Sequence, residues 1–269
     1  MSAGKGSPRY RALVLAGQRD GDPLAEHSPQ GHKCLLPVAG RPMIERVVAA
    51  LLAARTVEAI AVSIDRPGVL EAVPGFGELL ARGRIAVLES KASPALSVLH
   101  ALESGAEQSL PLLVTTADHA LLSPGIVQSF CHAADARGAD VAAGLVSRRT
   151  IETQVPATKR TYLRFRDGGY SGANLFAFRT AAGIRAALFW RRVERDRKSP
   201  WRIARAFGPY LLAAYFLRLY SLEQVMARAS RRLGCDAAAI VLDVAEAAID
   251  VDKLSDLELV EQLLAGRGA

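Results

Sequence analysis

The sequence predicts an α/β fold in which a doubly wound, mostly parallel sheet fills one domain. Short apolar runs rich in β-branched residues alternate with helical patterns over the first 150 residues. Strands that alternate with helices of roughly 10–15 residues are typical of right-handed β-α-β units. Ligands of such sheets bind at the carboxyl ends of the strands, so we expect the chemistry in the loops after Leu15 and Thr115.

The elements of the first half follow from local patterns. Apolar runs predict five strands, at Arg11–Leu15, Ala59–Ile64, Ile85–Leu88, Leu112–Thr115 and Val141–Val146. Apolar residues at helical spacing, with proline near the start of two of the segments, predict three helices. These helices begin after Pro42, cover about Ala95–Ser104, and run from Pro124 to Arg137.

The second half departs from this alternation. Strands are expected at Tyr162–Arg166, Ala173–Phe178, Ala239–Leu242 and Ala248–Val251, and a helix over Ser255–Leu264. Between the second and the third of these strands lies a helical stretch that contains both tryptophans and many arginines. We therefore predict one domain over residues 1–269, with a helical insertion at about residues 181–233.

Composition and charge restrict the function classes. Apolar residues make up 50% of the 269 residues and charged residues 23%, as is typical of a globular protein. No apolar run approaches the roughly 20 residues of a membrane-spanning helix, and the polar N-terminus does not resemble a signal peptide. The three cysteines lack paired spacing, so reduced thiols and a cytoplasmic location are expected. The net charge of +7 favours anionic partners.

The first loop has features of a phosphate-binding loop. Gly17 follows the first strand, and Arg19 and Lys33 come after it. Backbone N–H groups beside a glycine can approach an anion closely, and flexible cations can clamp phosphates. An ordinary surface loop is the alternative. The loop has neither a Gly-Lys-Ser/Thr motif nor a GxGxxG motif, so P-loop ATPases and dinucleotide enzymes are disfavoured.

A second feature is the carboxylate that follows the fourth strand. Asp118 comes three residues after the apolar run Leu112–Thr115. At the carboxyl end of a strand, an aspartate is well placed to hold Mg²⁺ against the phosphates of a nucleotide. The alternative is an aspartate that caps the next turn.

Together these segments resemble the MobA-like NTP transferase family, which comprises nucleotidyltransferases of GT-A-type fold. The resemblance rests on the Leu15-Ala16-Gly17 turn and on the run from Lys33 to Met43, which has the form K-x-L-x-P-x-x-G-x-P-M. The usual first loop of the family is LAGG-x-S/G-x-R-M. This chain has Gln18 in place of the second glycine and lacks the Arg-Met pair, so it is a divergent member.

The resemblance implies roles for particular residues. Nucleotide binding is assigned to Leu15, Ala16, Gly17, Gln18, Arg19, Lys33, Ser93, Ser97 and Asp118. Asp252 resembles the carboxylate of the family's late DIDTPEDL segment, so Asp118 and Asp252 are the predicted Mg²⁺ ligands. Arg19, Lys33, Asp118 and Asp252 are the predicted catalytic residues, and Gly172 and Asn174 line the acceptor side. The alternatives are a helix cap for Ser93 and a turn for Gly172 and Asn174.

The predicted activity is Mg²⁺-dependent transfer of a nucleoside monophosphate from an NTP, CTP or GTP being favoured, to a phosphorylated acceptor with release of pyrophosphate. The acceptor is a phosphorylated small molecule or a lipid head-group precursor. Peripheral contact with the inner membrane face is one interpretation of the aromatic, arginine-rich insertion, and a packed subdomain is the other. A GT-A glycosyltransferase and a non-catalytic nucleotide-binding protein remain alternatives. A nucleic-acid partner is not expected, because no recognised module is present.

Overall fold

The computed structural model describes residues 9–18, 21–104, 110–156, 158, 160–196, 208, 213–215 and 217–267. Within these residues the chain forms ten strands and eight α-helices. The strands are β1 Tyr10–Leu15, β2 Pro37–Val38, β3 Arg41–Pro42, β4 Val57–Ile64, β5 Ile85–Glu89, β6 Leu112–Thr116, β7 Val141–Ser147, β8 Leu163–Phe165, β9 Gly168–Phe178 and β10 Ala237–Leu242. The helices are α1 Met43–Ala53, α2 Phe76–Ala81, α3 Pro94–Ser104, α4 Pro124–Arg137, α5 Arg148–Gln154, α6 Ile184–Asp196, α7 Leu222–Leu233 and α8 Leu254–Ala265.

Most of the strands form one mixed sheet in the order β10-β7-β9-β6-β1-β4-β5, with β8 paired to β9. The pairs β1–β4, β1–β6, β4–β5 and β7–β10 are parallel, which confirms the predicted mostly parallel α/β fold. Strand β9 runs antiparallel to β6 and β7, between which it lies. The amino end of β9 therefore meets the carboxyl ends of its neighbours at one edge of the sheet.

The central strands bring the two predicted loops together. Leu15 at the end of β1 pairs with Thr116 at the end of β6, and the Ala117 amide donates to the Leu15 carbonyl at 2.9 Å. On its other side, the Ala16 amide donates to the Ser63 carbonyl of β4 at 2.8 Å. The glycine loop and the Asp118 loop thus start side by side at the carboxyl edge, as the parallel sheet predicts.

The segment from Lys33 to Met43 is anchored by burial. A short 3₁₀ helix over Lys33–Leu35 leads into the two-stranded hairpin of β2 and β3. The two turn residues, Ala39 and Gly40, have φ values of 45° and 75°, which is the type I′ geometry preferred in two-residue hairpins. Leu35, Leu36 and Met43 are almost completely buried, and this fixes the backbone that carries Lys33.

Two details of the C-terminal segment correct the prediction. Ala248–Val251 does not form a strand, because a 3₁₀ helix occupies Ala245–Ala248. A hydrogen bond of 3.1 Å from the Val251 amide to the Asp118 carbonyl connects this segment to the edge of the sheet. The final helix begins at Leu254 instead of Ser255, with Lys253 as its N-cap residue.

The boundaries of the predicted β8–β9 hairpin also change. Strand β8 covers Leu163–Phe165, shorter than expected, and β9 extends over Gly168–Phe178, well before the expected start at Ala173. The turn residues Arg166 and Asp167 connect the two strands directly, and Phe165 pairs with Gly168. Pairing along β7 explains the extension, because Ser147 and Val146 pair with Tyr170 and Ser171 of β9.

The described parts of the predicted insertion pack onto the domain. Helix α6 lies against α3 and helix α7 lies against β10. Trp190 of α6 stacks on Phe176 with ring centroids 5.6 Å apart. Four of the aromatic residues that motivated the membrane interpretation, Trp201, Phe207, Tyr210 and Phe216, lie outside the described residues. In the part of the chain that is described, no helix has the length and apolar character required to cross a membrane.

Candidate nucleotide site

A cavity of about 410 Å³ opens at the carboxyl ends of β1 and β6. Eight of the predicted nucleotide-binding residues line it: Leu15, Ala16, Gly17, Gln18, Lys33, Ser93, Ser97 and Asp118. Asp252 lines it as well. Arg19, the remaining predicted residue, lies outside the described residues. Gly172 and Asn174 do not line this cavity.

One lysine side chain joins the two predicted metal-binding carboxylates. The Lys33 Nζ donates to Asp118 Oδ2 at 2.8 Å and to Asp252 Oδ1 at 3.0 Å. The structure therefore brings Asp118 and Asp252 together at one ammonium group, whereas their role as Mg²⁺ ligands stays a prediction. Burial alone lowers the pKa of Lys33, but the Asp118 carboxylate, followed by that of Asp252, outweighs burial and raises the pKa above its ordinary value. The lysine is thus held as a cation at this point of the cavity.

The donor atoms at this point suit a magnesium ion. Asp118 Oδ1 is buried and has no hydrogen-bond partner in the described structure, so one lone-pair oxygen stays available. The described residues contain no cluster of three or more His, Cys, Asp or Glu side chains that could enclose a metal ion. Mg²⁺ typically takes one or two protein carboxylates and completes its shell with waters and substrate phosphates. The pair Asp118 and Asp252 fits that pattern.

Asp250 and Asp252 face different partners, as alternation along an extended segment predicts. Asp250 accepts a hydrogen bond from Asn174 Nδ2 at 2.8 Å and forms an ion pair with Arg160. Burial raises the pKa of Asp250, but Arg160 and Asn174 outweigh burial and hold the pKa below its ordinary value. The pKa of Asp252 is raised by burial and by the nearby carboxylates of Asp250 and Asp118, against the effect of Lys33.

The predicted acceptor-side residues lie on β9. Gly172 is exposed and pairs with Leu145, whereas Asn174 adopts a left-handed backbone conformation with a φ of 48°. The Asn174 amide is used to hold Asp250. Arg160 completes this polar cluster and is not predicted from sequence, because no motif marks an arginine in that loop.

Gln18 ties the glycine loop to the segment that carries Lys33. Its Oε1 accepts a hydrogen bond from the Lys33 amide at 2.6 Å, and its Nε2 donates to the Gly31 carbonyl at 3.1 Å. The Gln18 amide donates to Asp65 Oδ1 at 3.0 Å. The residue that departs from the family pattern therefore has a structural role that a glycine side chain could not supply.

Asp65 and His32 complete the support of this loop. The buried His32 ring places Nε2 3.2 Å from Asp65 Oδ1 and accepts at Nδ1 from the Cys34 amide at 3.3 Å. Burial lowers the pKa of His32 against the opposing effect of Asp65, which favours the neutral ring that this pattern requires. Neither residue is predicted from sequence, since their pairing depends on how the loop closes on β4.

Several of the residues that line the cavity are small, including Gly17 and Ser90. A Cβ atom at Gly17 would lie 3.1 Å from both Cβ and Oγ of Ser90, so a larger residue would push into the Ser90 side chain. Ser93 Oγ accepts from the Leu96 amide at 3.3 Å, which makes Ser93 the cap of α3. Ser97 Oγ accepts from the Lys91 amide at 2.9 Å. The cap interpretation of Ser93 is confirmed, and a role with the nucleotide stays a prediction.

Comparison with known proteins agrees with this geometry. The family described as MobA-like NTP transferase domain matches residues 12–205. A hypothetical transferase from Thermus thermophilus is 32% identical, with a TM-score of 0.76 over 93% of this chain and 99% of the other. No curated protein sequence matches the chain significantly.

Two more distant structures share the fold. A 4-diphosphocytidyl-2C-methyl-D-erythritol synthase from Anaerococcus prevotii is 12% identical, with a TM-score of 0.56 over 96% of this chain and 97% of the other. A CMP:2-keto-3-deoxy-manno-octonic acid synthetase in complex with CTP is 17% identical, with a TM-score of 0.60 over 96% and 99%.

Proposed function

Because the chain belongs to the MobA-like NTP transferase family and is a nucleotidyltransferase, we propose that it transfers a nucleoside monophosphate from an NTP to a phosphorylated acceptor. The observation that carries this proposal is the contact of Lys33 with both Asp118 and Asp252 inside the cavity that Gly17 lines. A cation and two carboxylates at one point can serve a triphosphate and its metal ion together.

The reaction is an in-line displacement at the α-phosphorus. An acceptor phosphate oxygen forms a bond to the α-phosphorus, the bond from that phosphorus to the bridging oxygen breaks, and pyrophosphate leaves. The nucleophile is already anionic, so no general base is required. Lys33 and Arg19 bind the triphosphate, and backbone groups around Gly17 orient it.

Asp118 and Asp252 would hold Mg²⁺, which neutralises negative charge on the phosphates when it is bound. The orphaned Oδ1 of Asp118 and the second carboxylate at the same point support this assignment. When the nucleotide binds, the Lys33 ammonium group moves away from the two carboxylates and toward the triphosphate. Its present position keeps the two carboxylates together before then.

For the nucleotide we propose CTP first and GTP second. The support for CTP is the likeness in fold to a synthetase that binds CTP. For the acceptor we propose a phosphorylated small molecule or a lipid head-group precursor, positioned by Gly172 and Asn174 in the middle of β9. The Asn174 amide would then bridge the acceptor side to the loop of Asp250 and Asp252. A cytoplasmic location, with contact at the inner membrane face for a lipid-like acceptor, belongs to the same proposal.

A panel of the four NTPs, each with Mg²⁺ and a set of phosphomonoester acceptors, tests the proposal by pyrophosphate release. We expect release that depends on the acceptor and is greatest with CTP. Transfer of a sugar from an NDP-sugar without pyrophosphate release would instead establish a GT-A glycosyltransferase. Binding of nucleotides with no turnover on any acceptor would favour a non-catalytic nucleotide-binding protein.

A further inference from the structure

A second pocket, separate from the nucleotide cavity, opens beside the β8–β9 hairpin. Its volume is about 240 Å³, and four arginines line it: Arg148, Arg164, Arg166 and Arg218. Two aromatic residues and two glycines complete the lining, and none of its described lining residues is acidic. The pocket shares no lining residue with the nucleotide cavity. Arg148 directly follows β7, so the pocket lies at the same edge of the sheet.

The backbone that carries these arginines is fixed by packing. Phe165 is buried between the rings of Tyr170 and Tyr215, at centroid distances of 5.9 and 5.8 Å. The Arg166 amide donates to the Tyr220 carbonyl at 2.9 Å, which joins the hairpin to the segment before α7. Phe165 therefore anchors the hairpin, and the arginines on either side of it extend from a rigid support.

The positive charge in the pocket is largely uncompensated. Arg148 pairs with Glu152 at 2.7 Å, whereas Arg164, Arg166 and Arg218 form no ion pair with any described residue. Arg218 also has a φ of 53°, in the left-handed region that an arginine rarely adopts. Like charges held together and an unfavourable backbone conformation are both typical of a site whose ligand offsets them.

We propose that this pocket binds the phosphoryl group of a multiply charged ligand, at a site distinct from that of the NTP. Guanidinium groups match phosphate oxygens in a bidentate geometry that other cations do not offer. A pocket of this size takes one or two phosphoryl groups but not a whole nucleotide. Gly168 and Gly169 also line a neighbouring groove of about 530 Å³. Because Glu152 and Asp167 line this groove too, the part of the ligand that it holds carries no negative charge.

The phosphoryl group can belong to a soluble phosphate ester or to a lipid head group. Three exposed leucines border the arginines in sequence: Leu163, Leu217 and Leu219, with exposed fractions of 47%, 68% and 49%. Apolar side chains around a cationic pocket suit a membrane surface, whereas a soluble ligand requires only the arginines. The experiment therefore has one arm for each source.

The test uses Arg164→Ala combined with Arg218→Gly, because glycine adopts the left-handed conformation of residue 218 without strain. The control, Arg82→Ala with Arg84→Ala, removes the same net charge from exposed arginines near α2, where Arg82 pairs with Glu78. All variants carry Lys33→Ala to weaken anion binding in the nucleotide cavity. Inorganic pyrophosphate is titrated calorimetrically in one arm. Flotation with phosphatidylcholine vesicles containing phosphatidic acid is measured in the other.

We expect the pocket variant to lose at least tenfold in affinity in one arm while the control binds like the Lys33→Ala parent. A loss with pyrophosphate identifies a soluble ligand, and a loss confined to vesicles identifies a lipid head group. Equal binding by the pocket variant and the control in both arms would overturn the proposal. Because the assay does not measure turnover, this outcome is distinguishable from a failure of nucleotidyl transfer.

Discussion

The Lys33 side chain contacts both of the predicted metal-binding carboxylates. Its two carboxylate partners lie 85 and 219 positions away in the chain. A single ammonium group cannot satisfy both carboxylates fully, and the raised pKa of Asp252 indicates that its negative charge is disfavoured there. A second cation would relieve this, which supports our proposal that the two carboxylates form a binding site and not a stabilising salt bridge with Lys33.

Replacement of Lys33 by alanine should lower kcat/KM about 100-fold, or roughly 3 kcal/mol, because a charge-assisted contact to the triphosphate is lost. Steady-state pyrophosphate release measures the effect. Lys253→Ala is the matched control, since this exposed lysine adjoins Asp252 but has no ion pair in the described structure. Equal kinetics for Lys33→Ala and the control would remove Lys33 from the catalytic machinery.

Asp250 and Asp252 should respond to substitution in opposite ways. The folded-state pKa of Asp250 is lowered, so its contribution to stability is present above about pH 4 and is lost as the pH falls through the folded pKa. Asp250→Asn should lower the free energy of unfolding at pH 7 by about 3 kcal/mol, because Arg160 loses its buried partner.

The folded-state pKa of Asp252 is raised, so its contribution is present below about pH 4 and is lost as the pH rises through the folded pKa. Asp252→Asn should therefore not lower stability at pH 7, although turnover should fall. Urea unfolding of both variants at pH 4 and pH 7 provides the comparison. A larger loss of stability at pH 7 in Asp252→Asn than in Asp250→Asn contradicts these assignments.

At the scale of elements, the loop between β1 and α1 is held by side chains that the family pattern does not predict. The Gln18 side chain accepts a hydrogen bond from the Lys33 backbone amide and donates one to the Gly31 carbonyl. The Asp65 carboxylate accepts a hydrogen bond from the Gln18 backbone amide and lies against the His32 ring. Arg66 adds a hydrogen bond of 2.6 Å to the Gly31 carbonyl. These contacts fix the backbone position from which the Lys33 side chain extends into the cavity.

Gln18→Ala should lower kcat/KM about tenfold, since Lys33 loses part of its backbone support. Gln154→Ala is a close control, because Gln154 likewise donates to one carbonyl, of Asp243, and accepts from one amide, of Ala245. Each variant should lose about 1 kcal/mol of stability per hydrogen bond. Kinetics that change equally in both would assign the effect of Gln18 to global stability alone.

Local patterns predict the strands of this fold well because each buried strand is a short apolar run. The helix from Pro124 to Arg137 is correct at both ends, since Ser123 caps it and Gly138 ends it in the left-handed conformation. The strand prediction at Ala248–Val251 is wrong because these apolar residues are buried without pairing to another strand. A 3₁₀ turn and one hydrogen bond hold the segment instead. Apolar content alone does not distinguish these two ways of burying a short segment.

At the scale of the whole molecule, the site is built from segments that only the sheet order brings together. The loops after β1 and β6 are neighbours because these strands pair, a result that the parallel pattern predicts. The central antiparallel β9, by contrast, is not apparent from alternation of strands and helices. Its position is what places Asn174 against Asp250, so this polar cluster could not be derived from local sequence.

The family motifs therefore predict Lys33, Asp118 and Asp252, whereas the residues that support them are found only in three dimensions. His32, Asp65 and Arg160 lie in loops whose partners are distant in the chain. Their side chains carry no periodic or spacing signal. The arginine pocket is similar, since its members come from α5, the β8–β9 hairpin and the segment before α7.

The proposed reaction breaks the bond between the α-phosphorus and the oxygen that bridges it to the β-phosphorus, and pyrophosphate leaves. The most direct measurement follows two samples of CTP, labelled at the α- or the γ-phosphate, in the presence of Mg²⁺ and the acceptor selected by the NTP panel. We expect the α label to enter the organic product, the γ label to appear only in pyrophosphate, and Asp118→Asn to abolish both. Release of the γ label as inorganic phosphate, or product formation that Asp118→Asn leaves unchanged, would contradict the proposed reaction.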